Sequence, residues 1–101
     1  MEMVTYNYNY PIALKKEWKK YQQENFCVTE SHAVINLINL GLKHMEIEPI
    51  EYEMKVLERF TMQFPKVLIN EIDKQMVHLG VKTRSKAIHL LIAKGIRVAI
   101  Q

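Results

Sequence analysis

The chain has 101 residues, 49% hydrophobic and 25% charged, with a net charge of +3. That is the size of one small domain with a modest core, and no apolar run approaches the roughly 18 residues that a membrane crossing needs. The opening MEMVTYNYNY has no basic head or apolar block and does not read as a signal peptide; the lone Cys27 excludes an internal disulfide, in keeping with a cytoplasmic setting.

The first predicted element is the alternation VTYNYNYP. Tyrosines occupy every second position, and Thr5, Asn7 and Asn9 fill the gaps before Pro11. In a strand, over about residues 4–10, the tyrosines line one face and the small polar groups the other. A helix follows over about 12–25, with Leu14, Trp18 and Tyr21 as its apolar stripe. Thr29 then N-caps a second helix over about 30–46, apolar at Ala33, Val34, Leu37, Ile38, Leu42 and Met45. Pro49 closes this stretch, because proline cannot sit inside a helix. The link EIEPIEYEMKVL, residues 46–57, fits either a strand through Ile50, Tyr52, Met54 and Val56 or a short helix starting at Pro49.

A second strand is expected over about 58–64, where Phe60, Met62 and Phe64 alternate with Arg59, Thr61 and Gln63. Pro65 opens a helix over 65–79 with Leu68, Ile72, Met76 and Leu79 on one stripe, and Gly80 stops it. Thr83 caps the last helix, over about 84–100, which is apolar at Ala87, Ile88, Leu91, Ile92, Ile96 and Ala99.

The two halves are copies of one plan. A shift of 54 positions lays Pro11 on Pro65, and lays TESHAVINLINLGLK on TRSKAIHLLIAKGIR without a gap. Residues 1–48 form the first copy, 49–57 a linker and 58–101 the second. A single strand cannot satisfy its own backbone groups. The two strands are therefore expected to pair antiparallel and bury their aromatic faces on four helices. The expected fold is mostly α, in the order β-α-α-β-α-α, with a two-stranded antiparallel ribbon; the copies form an intramolecular pseudo-dimer and one compact domain.

The outer face of this ribbon would carry Thr5, Asn7 and Asn9 opposite Arg59, Thr61 and Gln63. A two-stranded ribbon fits the major groove of DNA, and these side-chain types bond base edges. The helix N-termini at Thr29 and Ser31, and at Thr83, Arg84, Ser85 and Lys86, offer free N–H groups and positive dipole ends to phosphates. Glu30 and His32 stand in the first copy where the second has Arg84 and Lys86, so the first grip reads as weaker. Charge is distributed to match: residues 1–50 carry five lysines against six glutamates, and residues 51–101 nine bases against five acids.

The run of strand, proline, helix, turn, TRSKAI and helix resembles the Arc/MetJ/CopG ribbon-helix-helix family of DNA-binding regulators. RFTMQFPKVLINEID, LGVKTRSKAIHLLIAKGI and TESHAVINLINLGLK carry the resemblance, which covers nearly the whole chain twice. The first copy departs at Phe26 and Cys27, where the second has Gly80 and Val81, and at its acidic cap. The resemblance implies base contacts from the outward strand residues and phosphate contacts from the N-terminus of each second helix. Most relatives carry one copy and dimerise; the tandem form resembles accessory proteins of conjugative and virulence plasmids.

No catalytic residues, metal or cofactor are expected. His32, His44, His78 and His89 are scattered, Cys27 has no base beside it, and the three glycines lie far apart. The expected role is that of a sequence-specific double-stranded DNA-binding protein, a repressor or a plasmid or phage DNA-processing accessory factor. Further copies of itself could occupy adjacent sites. The rival expectation is an antitoxin-like, relaxase-binding or polymerase-binding interaction module on the same fold, with weak DNA binding, docking through the link or the helices.

Overall fold

The computed structural model describes residues 1–100; Gln101, the last residue of the second copy, lies outside the described residues. Strand β1 (Met3–Pro11) is followed by helices α1 (Ile12–Glu24) and α2 (Glu30–Lys43), then strand β2 (Leu57–Pro65) and helices α3 (Lys66–Leu79) and α4 (Arg84–Ala99). The strands pair antiparallel as a two-stranded sheet. Each is one residue longer at both ends than the alternation alone marks, so both prolines close their strands and stand at helix starts. Pro11 and Pro65 have extended ψ angles of 134° and 133°, and neither needs an N–H there.

The pairing register sets Asn7 opposite Thr61, with Met3 opposite Pro65 at one end and Pro11 opposite Leu57 at the other. The positions that centre the ribbon are thus the same positions that the 54-residue shift superimposes. Two backbone bonds just outside the ladder obey the same shift. Ile12 N–H donates to Val56 O at 3.2 Å, and Lys66 N–H donates to Glu2 O at 3.0 Å.

Alternation places Tyr8, Tyr10, Met62 and Phe64 in the core, with Tyr6 and Phe60 half-buried beside them. The Tyr8 ring is central. Its centroid lies 6.3 Å from Trp18, 6.0 Å from Phe60 and 6.1 Å from Phe64, in edge-on geometry. Such aromatic pairs add about 0.5–1.5 kcal/mol each beyond the area they bury. Burial drives the Tyr8 and Tyr10 hydroxyls well above the ordinary phenol range, so both stay neutral. Tyr10 donates across the ribbon to Glu58 Oε1 at 2.9 Å.

Helices α2 and α4 cross at the centre of the molecule. A Cβ added to Gly41 would collide with Leu91 O and come within 3.0 Å of Leu91 C, and one added to Gly95 would collide with Leu37 O and come within 2.8 Å of Leu37 C. The four residues again form two pairs related by the 54-residue shift. Backbone-to-backbone approach this close admits no side chain larger than hydrogen. Around the crossing, Leu37, Ile38, Leu91 and Ile92 are fully buried, each stabilising by roughly 1.5–3 kcal/mol. Helix α4 is buried on nearly all sides, including His89, Ala93 and Lys94, while Ala99, expected on its apolar stripe, is exposed.

Beyond single-residue shifts of element ends, three stretches stand out. The helix expected to reach residue 46 ends at Lys43, because Met45 and Ile47 turn their carbonyls onto the buried Lys94 Nζ, at 3.0 and 2.6 Å. These carbonyls lie at the negative end of α2, where an ammonium is favoured. The link through residues 48–54 is neither strand nor helix. It is irregular, with Ile50 and Tyr52 packed on the core. The turn after α1 is built on Phe26 at φ 54°, the counterpart of Gly80 at φ 70°.

Gly95→Ala and Gly41→Ala each force the central crossing apart. Each is expected to cost at least about 2 kcal/mol, read as a fall in the urea midpoint at unchanged slope. A variant as stable as the parent would mean that the helices do not meet this closely.

Candidate nucleic-acid interface

The six strand residues singled out as base readers all point outward and are exposed: Thr5 opposite Gln63, Asn7 opposite Thr61, Asn9 opposite Arg59. Period-2 geometry puts them there, since the intervening tyrosines, Phe60, Met62 and Phe64 occupy the inner face. Among the described residues Arg59 forms no ion pair. Among the described residues, the amide, hydroxyl and guanidinium groups of this face have no hydrogen-bond partner either.

The cap residues behave differently from one another. Thr83 Oγ1 accepts from Lys86 N–H at 3.2 Å, and Thr29 Oγ1 accepts from His32 N–H at 3.1 Å. Each hydroxyl satisfies one of the orphan donors at its helix start and leaves others of the first turn open. Ser85 is half-buried, and its Oγ accepts from Asn9 N–H at 3.4 Å, which ties β1 to the start of α4. Ser31, its counterpart on α2, is also half-buried. Lys86 is exposed and free of ion pairs among the described residues.

Arg84 is not a free cation. Its Nε and Nη2 donate to the two Asp73 carboxylate oxygens at 2.8 and 2.7 Å, and its guanidinium lies 4.9 Å from the Tyr6 ring centroid. A bidentate pair of this kind fixes the side chain, so Arg84 joins α3, α4 and the ribbon. Nothing in the sequence links Asp73 to Tyr6 through Arg84. The three meet only once the turn at Gly80 folds α4 back across α3.

Glu30, the acidic residue at the first cap, is likewise engaged. Its Oε2 accepts from the indole N–H of fully buried Trp18 at 3.1 Å, and its Oε1 pairs with Lys19 Nζ at 3.2 Å. Burial alone would raise this carboxyl. Hydrogen bonds from Trp18 and Lys19, with the charges of Lys19 and Lys15, outweigh it and hold the group below its ordinary value. The acid satisfies a buried donor and carries a matched counter-charge. His89, buried on α4, is held below the ordinary histidine value by desolvation and then by Lys86, against a hydrogen bond to the Asn9 backbone.

Among the described residues, no group of three or more His, Cys, Asp or Glu could hold a metal ion, and no helix is long and apolar enough to cross a membrane. No family model, curated protein or solved structure matches the chain.

A carboxyl whose folded value is depressed contributes stability above its unfolded value and loses it as pH falls through the folded one. Glu30→Gln is expected to keep an acceptor for Trp18 yet flatten the loss of stability on acidification below the carboxylate range, in urea titrations at stepped pH. Glu30→Ala, which strands the indole N–H, is expected to cost about 1–3 kcal/mol at neutral pH. Matching acid limbs for parent and Gln variant would assign the acid sensitivity elsewhere.

Proposed function

We propose that this chain is a sequence-specific double-stranded DNA-binding protein of ribbon-helix-helix type. Both half-ribbons come from one chain, in an intramolecular pseudo-dimer. One observation carries the reading: an antiparallel ribbon, centred on the repeat-related pair Asn7 and Thr61, with exposed Thr, Asn, Arg and Gln side chains on its outer face. Supporting it are the other contacts that obey the 54-residue shift. These are the two ladder-end bonds, the Gly41–Leu91 and Gly95–Leu37 crossings, and the paired caps at Thr29 and Thr83.

The chemistry follows from the groove. A ribbon with side chains fills a major groove about 12 Å wide, where Asn and Gln match adenine, Arg matches guanine and Thr bonds either edge or touches a methyl. The N-terminus of α4, with Lys86 beside it, serves as the stronger phosphate anchor. At the N-terminus of α2, Glu30 and its Lys19 partner add no net positive charge. The complex therefore has a polarity: the half-site on the α4 side is held more tightly. Because the strands differ, the element read by one chain is not a palindrome. A repressor or a DNA-processing accessory factor uses DNA in this way.

Selection of bound duplexes from a random pool tests the reading directly. An enriched asymmetric motif is expected. On it, Arg59→Ala should lose about 1–3 kcal/mol and relax base choice at one position. Lys86→Ala should weaken binding to every duplex and reduce the salt slope by about one. A pool that stays random, or variants that bind as the parent does, would remove the ribbon as reader.

A second reading, a protein-interaction module, is favoured by one observation. Phe26 and Val28 are 91% and 88% exposed at the turn after α1, where the second copy has Gly80 and Lys82. Retention on heparin and a salt-dependent shift of random duplex separate the two. The DNA reading expects both at low salt, and the interaction module expects neither.

A further inference from the structure

We propose that Met3 and Leu57 read thymine methyl groups at the two ends of the DNA element; this rests on the DNA-binding reading above. Each stands on the outward face, because each is separated by an even number of residues from the central pair Asn7 and Thr61. They are 42% and 46% exposed on a face whose other outward side chains, from Thr5 to Asn9 and from Arg59 to Gln63, are polar. The repeat places one on the other, so they mark the two ends of the ribbon symmetrically.

Their surroundings suit contact rather than fraying. Met3 lies opposite half-buried Pro65, and Leu57 opposite buried Pro11, so each end of the polar face closes on a proline that is wholly or partly covered and leaves Met3 or Leu57 as its exposed apolar group. The residue before each is fixed by a backbone bond: Glu2 O accepts from Lys66 N–H at 3.0 Å, and Val56 O accepts from Ile12 N–H at 3.2 Å. Neither side chain has a hydrogen-bond donor, and the Met3 thioether is only a weak acceptor. The apolar group that the major-groove edges offer is the C5-methyl of thymine. Four residues from the ribbon centre at roughly 3.4 Å each is about 14 Å, which is at most about four base pairs of helix axis. Leu57, the stiffer side chain, fixes its contact more narrowly than Met3, whose flexible thioether adapts.

The test uses the full chain and the duplex that wins selection. Thymines three to four base pairs from the centre of the element are replaced by deoxyuridine, which removes the methyl and nothing else. The parent protein is expected to bind about fourfold more weakly for each methyl lost. Met3→Ala and Leu57→Ala each abolish the discrimination at one end only, while Met3→Leu retains it. Equal affinity for the thymine and uracil duplexes overturns the assignment. So does a winning element without thymine at those positions, or an alanine variant that still discriminates. In all three cases an enriched element survives, and the DNA-binding reading with it; a pool with no enriched element sinks both.

Discussion

Everything in this fold hangs on β1 and β2 finding each other. Neither strand has a second neighbour, so the ladder's backbone groups depend on the partner strand, on solvent and, for Asn9 N–H, on Ser85 Oγ. The strands are separated in sequence by two helices and a link, so the ribbon joins residues 46 to 62 positions apart. Its formation fixes the inward aromatic layer, from Tyr8 and Tyr10 to Phe64, onto which Trp18 closes. It also fixes the outward row at the same instant, because a one-residue slip would exchange the two faces. Burial of the tyrosines therefore determines what solvent sees on the other side.

The central crossing is the second constraint. With Gly41 and Gly95 admitting Leu91 and Leu37 backbone, α2 and α4 approach far more closely than helices with larger residues at the contact. The start of α4 meets the ribbon. Ser85 bonds the Asn9 backbone, and Arg84 reaches Tyr6 from the same turn. The proposed phosphate anchor and the two-glycine crossing thus lie on the same helix.

Much of this is legible in the chain before any coordinates. Alternation, the strand-ending prolines, the Thr caps and the Gly80 stop are all local signals, and the strands and helices begin within a residue of where those signals fall. Three features are not legible, for a common reason. The early end of α2 is caused by Lys94, which lies 47 residues beyond Ile47. Glu30 looks like a weakness in a cap until Trp18 is found needing an acceptor. Arg84 looks free until Asp73 is found facing it. In each case a charged residue answers a partner that only tertiary structure supplies, and the charge pattern alone reads it as solvent-facing. The link defeats periodicity because its apolar residues anchor an irregular path rather than one face of an element.

The two halves also differ in ways that a single chain permits. Lys94 fastens the link through carbonyls of Met45 and Ile47, and its counterpart in the other half is Leu40. In an assembly of two identical chains, any substitution appears twice and must be tolerated in both surroundings. Here a buried ammonium can serve one side while a leucine fills the other, and Phe26 can occupy a bend that glycine takes opposite. Joining the halves lets a mutation be tried on one side of the molecule without being imposed on its mirror position.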